Sequence, residues 1–247
     1  MACYLLLPAK DEAEALSALI PEARREGLEV VVCDDGSTDA TAEVAGREGA
    51  LVLRHPRNLG LAEALRTLLD WAANSLEERD VVVLADADGT MLPKDARRIG
   101  EAVELLAADV VIGSRFRPGG GEIGVPPVRR LLSFGARLYL GLTLGIPGVT
   151  DYTTGFRGYR VGFLKRYKEA FPHWFESRGF TAQTELLLLA YYGLGARVAE
   201  IGAPIRYDRK KGASKMRILR TVRAYLELGW RGLALRRGRE PEPALKP

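Results

Sequence analysis

Two short acidic segments of the 247-residue chain contain the residue types that bind metal ions and sugar hydroxyls. The first, Asp86-Ala87-Asp88, follows an apolar run at 81–85 that is typical of a buried strand. Two carboxylates at a strand end can hold a divalent cation that also bridges phosphates, because Mg²⁺ binds one or two carboxylates and takes its other ligands from phosphate and water. An isolated Asp-x-Asp is more often a solvated turn whose aspartates cap a helix. Alone, this tripeptide is a weak signal.

The second acidic segment, Asp34-Asp35-Gly36-Ser37-Thr38-Asp39, follows an apolar run at 28–33. Gly36 permits a tight turn, and Thr38 or Asp39 can cap the helix that follows. Capping explains one acid but not three, and their mutual repulsion is costly without hydrogen-bond donors or a metal. A nucleoside supplies such donors in its ribose hydroxyls and base N–H groups. The residues alone leave a capping turn and a nucleotide site equally open.

Alternating apolar runs and helical stretches must position these acids. We predict strands at 3–7, 28–33, 51–53, 81–85 and 110–112, and helices at 12–26, 40–47, 59–73 and 94–106. This alternation indicates an α/β fold with a mostly parallel sheet and helices on both faces. Ligands of open sheets bind beyond the carboxyl ends of the strands. Both acidic segments lie there, as do Pro8-Ala9-Lys10-Asp11-Glu12 and Gly113-Ser114-Arg115.

The second half of the chain is less regular. It predicts a loop at 117–127, helices at 129–145, 181–192 and 216–237, strands at 197–201 and 205–207, and a basic loop at 209–215. The first and last of these helices carry apolar stripes beside arginines, with Leu131, Phe134, Leu138 and Leu142 on one and Ile218, Val222, Tyr225, Leu226 and Leu233 on the other. A basic amphipathic helix can lie in a bilayer interface or pack on the core of its own protein. Both alternatives stay open.

The net charge of +4 conceals a division between the halves. Residues 1–114 contain 11 Lys and Arg against 22 Asp and Glu, whereas 115–247 contain 25 against 10. A basic half suits an anionic partner such as a nucleic acid, a phosphorylated ligand or a membrane surface. Cys3 and Cys33 are too few for a disulfide framework or a zinc site. Without a signal peptide or an apolar span of about 20 residues, we expect a cytoplasmic protein.

Eight weak motifs, in one order over roughly 3–215, together make a specific pattern. The chain resembles the family 2 glycosyltransferases, and in particular the dolichyl-phosphate mannose synthase branch. Besides the four segments already named, the motifs are Arg57-Asn58-Leu59-Gly60, Asp151-Tyr152-Thr153-Thr154-Gly155-Phe156-Arg157, Gln183-Thr184-Glu185 and Arg209-Lys210-Lys211-Gly212-Ala213-Ser214-Lys215. The resemblance implies a GT-A fold, a nucleotide-sugar donor, Mg²⁺ or Mn²⁺, and inversion at the anomeric carbon.

The resemblance also implies a donor site in the first half. Pro8, Ala9 and Glu12 would line the nucleoside pocket, with Asp35 on the base or ribose. The Asp86-Ala87-Asp88 segment would bind the sugar diphosphate, with Asp86 and Asp88 as the metal ligands. The chain has Lys10-Asp11 where the family usually has Tyr-Asn, and Thr90 where the mannose synthases often have Gln. These departures leave a GDP-hexose and a UDP-hexose open as the donor.

The second half would serve the phosphates and the acceptor. Arg115, Arg209 and Lys215 would contact the phosphates of donor and acceptor, and Asp151 would lie near the reacting centre or the acceptor. The implied acceptor is a polyprenyl or dolichyl phosphate. It is already anionic near neutral pH, so no strong general base is needed. Peripheral contact with the inner face of the membrane follows, and no nucleic acid partner is expected.

We expect one GT-A domain at 1–215, with a nucleotide-sugar half at 1–115 and an acceptor half at 116–215. A basic amphipathic helix and a tail would follow at 216–247. Three other functions stay open: a glycosyltransferase with a soluble acceptor, a sugar-1-phosphate nucleotidyltransferase, and a non-catalytic nucleotide-sugar-binding subunit. A sugar-1-phosphate nucleotidyltransferase would normally have a Gly-rich basic loop after the first strand, where this chain has Pro8-Ala9-Lys10-Asp11-Glu12.

Overall fold

The computed structural model describes residues 1–210 and 218–238, and a seven-stranded sheet forms its centre. In chain order its strands are β1 (Cys3–Ala9), β2 (Glu29–Asp34), β3 (Leu51–Arg54), β4 (Val81–Leu84), β5 (Val110–Ser114), β7 (Arg157–Arg160) and β8 (Val198–Gly202). Their spatial order is β3-β2-β1-β4-β7-β5-β8. Only β7 among them is antiparallel to its neighbours. Two short strands, β6 (Gly121–Ile123) and β9 (Pro204–Arg206), pair separately.

The described α-helices are α1 (Ala13–Arg25), α2 (Thr41–Arg47), α3 (Leu61–Ser75), α4 (Pro93–Leu105), α5 (Pro127–Leu144), α6 (Val161–Ala170), α7 (Thr181–Leu188) and α8 (Ile218–Arg236). Helices pack on both faces of the large sheet, whereas α8 packs on α5 and α7. Successive side chains of a strand point to opposite faces. On β1, Leu6 therefore joins the core under α3, α6 and α7, whereas Leu5 and Leu7 join the core under α1 and α4. The expected α/β fold is confirmed.

Strand β7 is the main element that the apolar pattern did not predict. Its sequence, Arg-Gly-Tyr-Arg, has no apolar run, yet Arg157 and Tyr159 are fully buried between β4 and β5. Arg157 donates hydrogen bonds to the carbonyls of Tyr152 and Gln183, which compensates for burying its charge. Because β7 runs antiparallel, the loop before it lies at the carboxyl ends of β4 and β5. This loop contains the 151–157 motif.

The other predicted elements are confirmed within a few residues of their expected ends. The exceptions are β6, which lies inside the expected loop at 117–127, and α6, which was not predicted. The helix expected at 181–192 is α7 followed by a π-helical turn, Leu189–Gly193. Within residues 1–210 and 218–238, no helix combines the length and the apolar character needed to cross a membrane. The boundary predicted at 215 lies outside the described residues.

Candidate active site

The first two motifs fold onto each other because β1 and β2 are adjacent parallel strands. The backbone N–H of Asp11 donates to the Ser37 hydroxyl at 2.9 Å, and the Asp11 carboxylate accepts the N–H of Thr38 at 2.7 Å. The N–H of Glu12 donates to the Thr41 hydroxyl at 2.9 Å. Pro8, Ala9 and Glu12 therefore lie beside the Asp34–Asp39 turn, as a nucleoside pocket requires.

Asp35 is buried and its carboxylate has protein partners. One oxygen accepts the N–H of Leu59 and contacts Nδ1 of His55, and the other accepts the N–H of Gly60, all at 2.8 Å. Asp35 therefore ties the 57–60 motif to the end of β2. Gly36 has a φ of +63°, and a Cβ there would collide with the backbone of Arg57. The expected contact of Asp35 with a base or ribose stays a prediction.

Asp86 and Asp88 lie at the end of β4, on either side of the buried Ala87. One oxygen of Asp88 accepts hydrogen bonds from the Thr90 hydroxyl at 2.6 Å and the Thr90 N–H at 3.1 Å. Its other oxygen contacts the ammonium group of Lys210. Thr90, where the mannose synthases often have Gln, thus orients the second aspartate.

The Asp86 carboxylate fits a cation. Among residues 1–210 and 218–238 it has no hydrogen-bond or ion-pair partner, and burial, with repulsion from Asp88, raises its pKa to about 7 despite the opposing charge of Lys210. No cluster of three or more His, Cys, Asp or Glu side chains in the described part of the chain could hold a metal. A cation here would therefore have two protein carboxylates and take its other ligands from substrate and water, as Mg²⁺ commonly does.

A cavity of about 220 Å³ begins at Asp86 and passes between α5, the start of α7, and α8. Its polar wall includes Arg115, Glu122, Arg129, Ser133, Thr153 and Gln183. Its apolar wall includes Val125, Leu132, Ala136, Phe180, Ile205 and Val222. The cavity therefore offers charged and hydroxyl groups for anions and a cation, together with apolar side chains for a hydrocarbon.

Arg115 and Asp151 form a buried bidentate ion pair. Nε and Nη2 of Arg115 donate to the two Asp151 oxygens at 2.8 and 2.7 Å. The remaining guanidinium N–H groups face Glu122, Ser133 and Thr153 at 3.2, 2.9 and 2.6 Å. Arg115 lines the cavity, but all five of its side-chain N–H groups have protein acceptors. Its expected phosphate contact stays a prediction.

Asp151 lies behind Arg115, outside the cavity wall. Burial alone would raise the pKa of Asp151, but the charge and hydrogen bonds of Arg115 outweigh it and the pKa is lowered. Glu200 accepts the N–H of Asp151 at 2.7 Å and so fixes the loop from the side of β8. In this arrangement Asp151 acts on the cavity through Arg115. A direct role at the reacting centre stays a prediction.

Of the basic segment after β9 the structure describes Arg209 and Lys210, and of these two Lys210 contacts the Asp-x-Asp motif. Arg209 is exposed, and its guanidinium group pairs with Glu22 on α1 at 3.5 Å. The side chain of Arg209 therefore points away from the Asp-x-Asp motif. Lys210 reaches Asp88 instead, and although burial lowers its pKa, the hydrogen bond and charge of Asp88 raise it overall. Lys215 lies outside the described residues. The run of basic residues located this segment, but not which side chain turns inward.

Arg129 is a second cavity cation that the sequence did not single out as a site residue. It lies in the first turn of α5, and its guanidinium contacts the Tyr207 hydroxyl and lies 5.4 Å from the ring centroid. The sequence interpretation counted Arg129 only as a basic residue beside an apolar stripe. The available signal was its position at the start of the predicted helix that follows the loop at 117–127.

Helices α5 and α8 pack side by side next to the cavity, where the Tyr139 hydroxyl donates to the Leu226 carbonyl at 2.8 Å. Both expose large apolar side chains, which we call the apolar ridge: Val128, Leu131, Phe134, Leu138 and Leu142 of α5, and Val222, Leu226 and Trp230 of α8. Arg231 of α8 turns inward and pairs with the buried Glu185 at 2.8 Å. This pair attaches α8 to α7, because an unpaired Glu185 inside the core would be costly.

The model of the family described as "Glycosyl transferase family 2" matches residues 4–168. The chain belongs to this family. This glycosyltransferase is 32% identical over 254 residues to the undecaprenyl-phosphate mannosyltransferase of Micrococcus luteus, with 96% of this chain and all of the relative covered. It is 31% identical over 221 residues to the polyprenol monophosphomannose synthase of Mycolicibacterium smegmatis, with 86% and 80% covered.

Solved structures confirm the GT-A fold of this glycosyltransferase. One is the glucosyl-3-phosphoglycerate synthase of Mycobacterium tuberculosis in complex with Mn²⁺, UDP-glucose and phosphoglyceric acid. It superposes with a TM-score of 0.66 at 20% identity and covers 98% of this chain and 81% of its own. Identity at this level shows the shared fold alone. The resemblance to the family 2 glycosyltransferases and the GT-A fold that it implied are thus confirmed.

Proposed function

We propose that this glycosyltransferase transfers a hexose, with inversion, from a nucleoside diphosphate sugar to a polyprenyl phosphate at a membrane surface. The observation that carries the proposal is the lining of the cavity, which joins Asp86, Arg115 and Arg129 to apolar side chains that include Leu132, Ala136, Phe180 and Val222. A phosphate attached to a long hydrocarbon needs both kinds of group. The mannosyltransferases among the relatives, whose names include undecaprenyl phosphate and polyprenol, support this acceptor class.

On the donor side, Asp86 and Asp88 would hold Mg²⁺ or Mn²⁺. The bound metal would supply charge neutralisation for the departing diphosphate. Pro8, Ala9 and Glu12 would contact the nucleoside, and Asp35 would hold the edge of that pocket through the 57–60 motif. The Mn²⁺ and Mg²⁺ complexes of glucosyl-3-phosphoglycerate synthase, both of which contain a uridine diphosphate group, support divalent metal use in a fold of this kind.

On the acceptor side, Arg129 and the Ser133 hydroxyl would bind the lipid phosphate, with Arg115 beside them. All three residues line the cavity within one short stretch of its wall. Their charge would offset the repulsion between the two phosphate-bearing substrates and leave an acceptor oxygen to attack the anomeric carbon. The contact of Arg209 and Lys215 with the donor phosphates, which the resemblance implies, stays a prediction, because Arg209 pairs with Glu22 and Lys215 lies outside the described residues.

The apolar ridge would place the mouth of the cavity on the membrane. Its residues are strongly exposed, with Leu131 at 71% and Trp230 at 72%. Large apolar side chains that are exposed together are typical of a protein or membrane interaction site. Arg130 of α5 and Arg223 of α8 are also exposed on the two helices and would face anionic headgroups. We propose the inner face of the membrane as its location.

The test is hexosyl transfer with purified chain, Mn²⁺, and either undecaprenyl phosphate in vesicles or 3-phosphoglycerate in solution. GDP-mannose and UDP-glucose serve as donors, and nuclear magnetic resonance of the product gives the anomeric configuration. We expect a lipid-linked product of inverted configuration, lost with a chelator and with Asp86→Asn. Transfer only to 3-phosphoglycerate would replace the lipid acceptor with a soluble one. No transfer with either acceptor would contradict the proposal.

A matched pair of variants tests the membrane part. Leu131→Ser with Trp230→Ser removes two exposed side chains of the apolar ridge, and Leu105→Ser removes an equally exposed leucine at the end of α4. We expect the ridge variant to lose at least tenfold in binding to anionic vesicles and in lipid transfer, and the Leu105 variant to behave as wild type. Equal behaviour of the two would remove the ridge from the proposal.

A further inference from the structure

Among the cations in residues 1–210 and 218–238, only Lys210 forms a hydrogen bond with the Asp-x-Asp motif. Its ammonium group contacts the Asp88 oxygen that Thr90 leaves unused. The ammonium also lies 5.5 Å from the ring centroid of Tyr207, which itself contacts Arg129. The side chain is 17% exposed, so these contacts hold it inside the site rather than over the surface.

The same Asp88 oxygen is the one open to a divalent cation. The other oxygen already accepts two hydrogen bonds from Thr90. A metal ligand must present a lone pair at about 2.0–2.1 Å from Mg²⁺, and a second positive charge on the same oxygen repels the ion. Lys210 and a divalent cation therefore compete at Asp88. The repulsion between them weakens metal binding there as long as the ammonium group stays in place.

A nucleoside diphosphate changes this competition. Its phosphates bring negative charge next to the metal and give the displaced ammonium group an anionic partner nearby. Lys210 follows β9 and the 3₁₀ turn Tyr207–Arg209, and its ammonium group is carried on a flexible four-carbon chain that can swing toward such a partner. Metal binding then becomes favourable mainly together with the diphosphate, and by linkage the reverse holds too.

We propose that Lys210 is an internal counter-ion of the Asp-x-Asp motif, which keeps metal binding weak until a nucleoside diphosphate is present and thereby couples the two ligands. The inference rests on the metal role that the proposed function gives to Asp86 and Asp88. It adds a positioning role for a residue outside the predicted site. Neither the acceptor nor the transferred sugar enters it.

The experiment measures Mn²⁺ binding to the full chain by electron paramagnetic resonance of the free ion, alone and with saturating UDP or GDP. Lys210→Met and Lys210→Gln remove the ammonium group, and Lys210→Arg keeps a charge. Arg206→Met is the matched control, since Arg206 lies in the same segment but pairs with Asp208 at 2.7 Å. It removes one positive charge without changing the contact at Asp88. Thermal unfolding checks that each variant is folded.

We expect both neutral Lys210 variants to bind Mn²⁺ alone at least tenfold more tightly than wild type. The increase in Mn²⁺ affinity on adding UDP or GDP should be smaller in these variants by a similar factor. Lys210→Arg and Arg206→Met should bind Mn²⁺ nearly as wild type does. Unchanged or weaker Mn²⁺ binding in the neutral variants would overturn the counter-ion role while leaving the proposed transferase function intact. If no form binds Mn²⁺ even with nucleotide, both the counter-ion role and the metal-dependent function are refuted.

Discussion

Removing the Asp151 carboxylate tests whether its ion pair with Arg115 builds the cavity wall. The Asp151 side chain is fully buried and that of Arg115 is 11% exposed, so the pair is shielded from water. Removing one partner of a buried pair costs about 3–5 kcal/mol, because the other charge stays buried without compensation. Arg115 keeps Glu122, Ser133 and Thr153. We therefore expect Asp151→Ala to lower the free energy of unfolding by about 3 kcal/mol, the lower end of that range.

Urea denaturation followed by circular dichroism measures this loss, and thermal unfolding checks it. For a chain of this length each kcal/mol shifts Tm by about 2–4 °C, so we expect a fall of roughly 6–12 °C. The control is Arg223→Ala, which breaks the exposed pair of Arg223 and Glu227 on α8. An exposed pair four residues apart on a helix contributes about 0.3–0.5 kcal/mol, so this variant should stay close to wild type.

A double variant separates the cost of leaving the Arg115 charge buried without a partner from the loss of packing contacts. Arg115→Met with Asp151→Leu replaces both charges by apolar groups, and such replacements of a buried pair are often neutral or stabilising. We expect the double variant to be more stable than Asp151→Ala, although it removes more native contacts. If Asp151→Ala costs less than about 1 kcal/mol, or if the double variant is less stable than the single one, the ion pair does not hold the wall as argued.

Three further predictions concern the pH dependence, the attachment of α8 and the acceptor phosphate. The pKa of Asp151 is lower in the folded protein than in the unfolded chain, where it is about 4. The ionised carboxylate therefore stabilises the fold fully above about pH 4, and this contribution is lost as the pH falls through the folded pKa. The difference in urea midpoint between wild type and Asp151→Asn should accordingly become smaller below about pH 4. Glu185→Gln should lower stability by about 2–3 kcal/mol and loosen α8, because Arg231 loses its charged partner, and hydrogen exchange of α8 amides measures the loosening. Arg129→Met should lower kcat/KM for the lipid phosphate about a hundredfold with donor affinity unchanged, and steady-state kinetics with titration of UDP or GDP distinguishes the two.

The part of the site around Asp35 and Asp86 could be predicted because it depends on strand ends. The apolar runs located β1, β2 and β4 within two residues of their observed ends. In a parallel sheet the residues that follow neighbouring strands must meet at one edge. The proximity of Glu12 to the 34–39 turn, and of both to the edge that carries Asp86, follows from that geometry.

The part of the site built by β7 and the segment after β9 could not be predicted in the same way because these elements break the pattern. Strand β7 is buried through Arg157, whose charge is compensated by carbonyl groups that are distant from it in sequence or lie in an irregular loop. Periodicity records apolar side chains and cannot represent a buried arginine of this kind. The inward turn of Lys210 instead of Arg209 depends on the path of a 3₁₀ turn, which neighbouring residues of the same charge cannot specify.

The division of charge along the sequence acquires a physical meaning in the fold. Several cations of the basic half pair with acids of that same half, as Arg115 does with Asp151 and Arg231 with Glu185. Others cross to the acidic half, as Lys210 does to Asp88 and Arg209 to Glu22. The crossing pairs join the segment after β9 to the acidic half of the chain, where opposite charges attract without any substrate. We infer that this asymmetry reflects a site assembled between the halves, in which the carboxylates of Asp86 and Asp88 come from the first half and the cavity cations Arg115 and Arg129 come from the second.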